Sequence, residues 1–183
     1  MNLPPPPPPA IRILLSLIVI PAAVLDIRTR RIPNWLSLSG VVLGVALNTF
    51  LAEWNGLWFS LKGLGLAFAI YFVLYLLHGM GAGDVKLMAA VGSVAGPLGW
   101  IVIFILTSLA GGVVALALIA AKGRFRKTMD NILLILISFR HAHLPYKDNP
   151  QLDVRSTQGI RLPHAVMIAV GTLVAIWAPW APR

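Results

Sequence analysis

Cysteine is absent from all 183 residues, so no disulfide framework, thiolate metal site or thiol nucleophile is available. Acid is scarce as well: five Asp and a single Glu stand against 15 Lys and Arg, giving a formal net charge of +9. Charged residues make up 11% of the chain, where a soluble domain carries about 25%. A chain this small still needs a polar surface if water surrounds it. The shortfall therefore excludes a soluble globular enzyme and makes lipid the solvent for much of the fold. No G-x-S-x-G, H-E-x-x-H or Walker loop occurs, and no internal repeat is found.

What is present is a series of apolar runs, 58% of the chain being hydrophobic. They cover residues 11–25, 35–52, 57–77, 85–121 and 160–179. The 85–121 run would reach about 55 Å as one helix, against a hydrocarbon core of about 30 Å. Gly96-Pro97-Leu98-Gly99 is a turn signal inside it. Splitting there gives a short fourth segment (85–96), which must tilt or extend into the preceding break, and a full fifth one (100–121). The fold class that follows is all-α integral membrane, with about six transmembrane helices. Residues 1–10, with six consecutive prolines at 4–9, form a polyproline arm that cannot start a helical hydrogen-bond ladder. Residues 11–183 form one membrane domain. The 122–159 stretch is polar apart from an apolar patch at 131–139, too short to span and expected along the membrane surface. The first run, with Pro21-Ala22-Ala23 near its end, also has a signal-peptide reading, but the strong positive charge follows the run instead of preceding it.

The basic residues cluster in the polar breaks. With the 26–34 break inside, 12 of the 15 fall on the inner face and only Arg12, Lys62 and Arg183 outside. That asymmetry fits the positive-inside rule with both termini outside. It assigns the basic charge to topology and a lipid surface, not to nucleic acid. It also puts Asp26 and Asp84 on one, cytoplasmic, side.

Asp130, Asp148 and Asp153 sit in the long polar stretch, and Glu53 in a short outer turn, where water accounts for them. Asp26 and Asp84 each lie where an apolar span meets the boundary, a costly place for an acid and a functional one by default. Separately each has a plain reading: Asp26 as the first solvated residue after a span, Asp84 as the N-cap of the fourth helix. Together they are the only acids pressed against spans on one face. Two carboxylates at one site share a proton, so one serves as base on a water and the other as acid. Gly81 and Gly83, before Asp84, let another backbone approach closely; they also have a plain reading as loop or helix-packing glycines. A bulky residue at Gly83 is expected to damage activity more than one at the mid-span Gly40 or Gly44. His141 and His143 are two residues apart and share no helix face, so no metal and no cofactor is expected.

Asp26 followed by Arg30-Arg31-Ile32-Pro33-Asn34, then Gly81-Ala82-Gly83-Asp84-Val85-Lys86-Leu87, resembles the type IV prepilin peptidase family, the GxGD intramembrane aspartic peptidases. Its short form is associated with Flp, or tight-adherence, pili. The resemblance runs from about residue 11 to 121, with a weaker echo in Arg161-Leu162-Pro163-His164-Ala165. It implies that Asp26 and Asp84 are catalytic, and that Gly81, Gly83, Lys86, Arg31, Pro33 and Asn34 lie near a Flp-like prepilin helix. It also implies cleavage at the cytoplasmic face of a bacterial inner membrane. The long form adds a cytoplasmic domain bearing Cys pairs and linked to N-methylation, so peptidase activity alone is expected here. A non-enzymatic membrane subunit or small transporter, using the two acids for proton or ion handling, is the alternative.

Overall fold

A computed structural model describes residues 7–121 and 164–177. Their regular structure is entirely helical, in four elements: α1 (Pro9–Thr29), α2 (Asn34–Leu76), α3 (Ala82–Ala121) and α4 (His164–Trp177). The first three are long and apolar enough to cross a membrane. Large side chains such as Phe50, Leu98 and Val113 are exposed, as expected of helices that face lipid. Residues 131–139 lie outside the described residues.

The proline arm needs one correction. Pro8 caps α1 and Pro9 is already helical, with the Pro8 carbonyl accepting from the N–H groups of Ile11 and Arg12 at 3.0 and 3.2 Å. The first helical position has no intrahelical N–H partner, so proline there loses nothing. Pro21 sits inside α1, and Ala22 beside it is fully buried in the core, as expected of a packed helix and not of a cleavage site. The helix ends where Arg30 turns left-handed (φ 54°) and its N–H closes on the Asp26 carbonyl at 3.0 Å. Pro33 is extended and starts α2 immediately.

Two reversals divide α2 and α3. In α2, Ala52 and Glu53 leave helical geometry. Ser60 Oγ donates to the Gly44 carbonyl at 3.3 Å, whereas a straight helix would separate these residues by about 24 Å. The chain therefore doubles back at 52–53. In α3 the break is Gly96 (φ 69°), a conformation open to glycine, followed by Pro97. Gly92 packs on Ala67, yet the Tyr71 ring meets Trp100 and Phe104 at 6.2 and 6.0 Å. Residues past Gly96 thus run back alongside α2. Each of the five apolar runs, the fourth of them split at Gly96, has a helical segment. The short fourth segment gains length by starting at Ala82, so the break before it is shorter than the sequence suggests.

Small residues let the arms approach. A Cβ on Gly44 would stand 2.6 Å from Ser93 Oγ and 2.7 Å from Val94 Cγ2; one on Gly40 would stand 3.0 Å from the Ala90 Cβ. Gly63 crosses Gly92 in the same manner. Asn48 is buried beneath this crossing, and its two Nδ2 N–H bonds are shared among the carbonyls of Gly44, Ser93 and Val94 and Ser60 Oγ, all at 3.0–3.2 Å. On the other flank α4 runs antiparallel to α1. Trp177 Nε1 donates to Ser16 Oγ at 3.4 Å and its ring lies under Arg12, while Ala165 meets Asp26. The ends of α1 and the starts of α2, α3 and α4 consequently gather at one end of the bundle, and the reversals at 52–53 and 96 at the other.

Candidate active site

Asp26 occupies the last full turn of α1 and is only 9% exposed. A solvated residue just past a span would be exposed, so that plain reading is overturned. Its Oδ2 accepts the Ala165 N–H at 3.1 Å, a buried contact between the end of α1 and the first turn of α4. An N–H there has no intrahelical acceptor, and the helix dipole favours an anion beside it.

Asp84 is in the first turn of α3, two residues after Ala82. It is not the N-cap: its Oδ2 reaches back to accept the Gly81 N–H at 3.3 Å, the acidic half of a capping box. The carboxylate is partly buried and within electrostatic reach of Asp26 and of His164. Tyr71 of α2, almost fully buried, feels the Asp84 charge, and its ring lies 6.4 Å from that of His164. Four helical segments thus bring Asp26, Asp84, Tyr71 and His164 to one polar cluster in an apolar bundle. Among the described residues no three His, Asp or Glu side chains group as ligands for one metal ion.

The remaining residues singled out in the sequence divide in two. Lys86 and Asn34 come together, Nζ to Oδ1 at 2.8 Å. Pro33 caps α2, while Arg31 is exposed and its carbonyl accepts from Thr29 Oγ1 at 3.1 Å. Gly83 is helical, without positive φ, and a Cβ there would make only ordinary contacts with Ile32 at 3.4–3.6 Å. The order expected for activity is not the order of packing: Gly83 has room for a side chain, and Gly40 and Gly44 do not. The mid-span glycines are the tight ones, because helix crossings sit on them.

The profile of the type IV leader peptidase family matches residues 13–116, more than half of the chain. The chain belongs to the type IV leader peptidase family. Membership makes it a protease of the prepilin-leader type and leaves the ion-handling alternative without support. The matched segment contains both Asp26 and Asp84 and stops before α4, so His164 and the Ala165 N–H are contributed from outside it. No curated protein and no solved structure matches the chain significantly. Sequence reasoning missed His164 and Tyr71 as members of the site. Tyr71 is one aromatic among several in its apolar run, with Phe68, Phe72 and Tyr75 beside it. His164 was named within the weaker family echo at 161–165 and given no role, although Pro163 directly before it, a residue common at helix starts, marks it as opening a helix.

Proposed function

We propose that this leader peptidase is an aspartic endopeptidase that cuts Flp-like type IV prepilins at the cytoplasmic face of a bacterial inner membrane. The observation that supports the reading is that Asp26 and Asp84 stand at the same end of the bundle, within electrostatic reach of each other, on helices whose other acids are absent or distant. On the charge asymmetry of the breaks, that end is the cytoplasmic one, with six crossings and both termini outside.

A water between the two carboxylates loses a proton to one and attacks the carbonyl carbon of the leader bond. The other carboxylic acid stabilises the oxyanion and then delivers its proton to the leaving amine. No covalent intermediate forms, since no activated nucleophile stands at the site. The Gly81 and Ala165 N–H groups each hold one carboxylate, which fixes their mutual orientation. His164 and Tyr71 lie beside each other within electrostatic reach of Asp84. No cofactor takes part in this scheme. Prepilin leaders are basic and so is this face, so recognition rests on lateral packing of the apolar substrate helix and not on long-range attraction.

The test is cleavage of a Flp-type prepilin by Asp26→Asn and Asp84→Asn. Asn keeps an acceptor for the backbone donor, so both variants should accumulate in the membrane. Each should lose about 10²–10⁴-fold in rate or more, the contribution of one general acid or base. A variant retaining near-full activity removes its residue from the mechanism.

A further inference from the structure

On the face of α2 and α3 turned away from α1, a groove of about 420 Å³ is lined by Asn34, Ser37, Leu38, Val41, Leu64, Phe68, Lys86 and Ala89. We propose that it binds one anionic phospholipid, with the phosphodiester at Lys86 and an acyl chain along the apolar floor.

The polar end of the groove presents donors. Lys86 has three N–H donors; one goes to Asn34 Oδ1 at 2.8 Å, which fixes the ammonium and leaves two for a ligand. Ser37 is 3% exposed, and its Oγ has no hydrogen-bond partner although it lines the groove. Ser39, two residues on, satisfies its own hydroxyl on the Leu36 carbonyl at 3.0 Å. The Ser37 hydroxyl is itself buried, so a turn about χ1 is what would bring it to an acceptor in the groove. A phosphodiester has acceptor oxygens, a negative charge and no donor of its own. Below this polar end the lining is apolar, through Leu38, Val41, Leu64 and Phe68.

Access favours a lipid. The groove is open sideways, with Leu38 65% and Phe68 45% exposed, so a chain enters directly from the bilayer. Arg28 and Arg31 are exposed at the same end of the bundle and add attraction for an anionic headgroup.

The experiment uses the full chain in detergent. Phosphatidylglycerol or phosphatidylcholine of identical chains is added, with bound lipid read by native mass spectrometry and the unfolding midpoint measured alongside. Wild type should prefer phosphatidylglycerol by about fivefold or more and be stabilised by it. Lys86→Gln should abolish the preference, Ser37→Ala should reduce it, and Lys86→Arg should keep it. Lys62→Gln, at the opposite end, should leave it unchanged. Equal binding of both lipids by wild type overturns the proposal, as does a preference that survives Lys86→Gln. Equal loss in Lys62→Gln overturns it too, because diffuse charge would then be the cause. Displacement of phosphatidylglycerol by a prepilin transmembrane peptide overturns it in favour of a peptide groove.

Discussion

Gly44→Ala adds one methyl group at the tightest point of the α2–α3 crossing. The new Cβ would lie 2.6 Å from Ser93 Oγ, 2.7 Å from Val94 Cγ2 and 3.1 Å from the Val94 backbone nitrogen. Comfortable separations are about 3.5–4.0 Å, so the helices must part by roughly 1 Å. Local relief is blocked. Ser93 Oγ is held by the Ala90 carbonyl at 2.8 Å, Val94 is stiff at χ1, and the third neighbour is backbone. Parting the helices by that amount stretches the Asn48 bonds to Ser93 and Val94, now 3.1 Å each, to about 4 Å, beyond hydrogen-bonding range. Overpacking costs about 1–3 kcal/mol, and each lost bond adds about 0.5–1.5 kcal/mol. The expected destabilisation is therefore about 2–6 kcal/mol. Two internal controls accompany it. Gly65→Ala meets nothing within 4 Å and should be neutral or stabilising by up to about 1 kcal/mol. Gly83→Ala makes only ordinary contacts and should be near neutral for stability. Unfolding in mixed micelles with increasing dodecyl sulfate, followed by tryptophan fluorescence, reads all three. A Gly44→Ala protein within about 0.5 kcal/mol of wild type would refute the packing argument, as would a Gly65→Ala protein equally damaged.

Asn48→Leu removes the polar tie among Gly44, Ser60, Ser93 and Val94 and should destabilise by about 1–2 kcal/mol in the same assay, the upper range for polar contacts inside membranes. His164→Phe keeps a ring against Tyr71 but removes the imidazole near Asp84; cleavage should fall by about tenfold with unfolding unchanged, and full activity would exclude His164 from the site. Reporter fusions after residues 34, 80 and 140 should read cytoplasmic, and fusions after 55 and 183 the opposite side; a cytoplasmic carboxy-terminus would remove one crossing from the proposed topology.

The helical segments were legible because apolar runs separated by Arg, Gly and Pro leave few other ways to fold in lipid. Even the two reversals carry marks, Glu53 in an apolar stretch and Gly96-Pro97. Asp26 and Asp84 were legible because acids at span boundaries are conspicuous when only six acids exist. Less visible was depth. Asp26 reads as a boundary residue because Arg28, Arg30 and Arg31 follow it, yet α1 continues to Thr29 and α4 covers the carboxylate. The packing role of Gly40 and Gly44 was hidden for a related reason. Which face of an all-apolar helix meets a neighbour leaves no periodic signal when lipid and protein interior are equally apolar. The partnership of Lys86 with Asn34, 52 residues apart, is likewise a product of the bundle and not of local spacing.

The contact between Asp26 and the Ala165 N–H also sets an order of events in time. The donor lies 139 residues downstream of the acid. At about 5–20 residues per second, synthesis leaves Asp26 without that partner for roughly 7–30 s after its own helix is made. During that interval α1 carries an acid near the membrane boundary with one carboxylate oxygen unsatisfied, and the polar cluster cannot close. Only the arrival of the last described helix seats the carboxylate. A chain released before α4 would hold both aspartates on correctly formed helices and still lack the N–H that donates to Asp26.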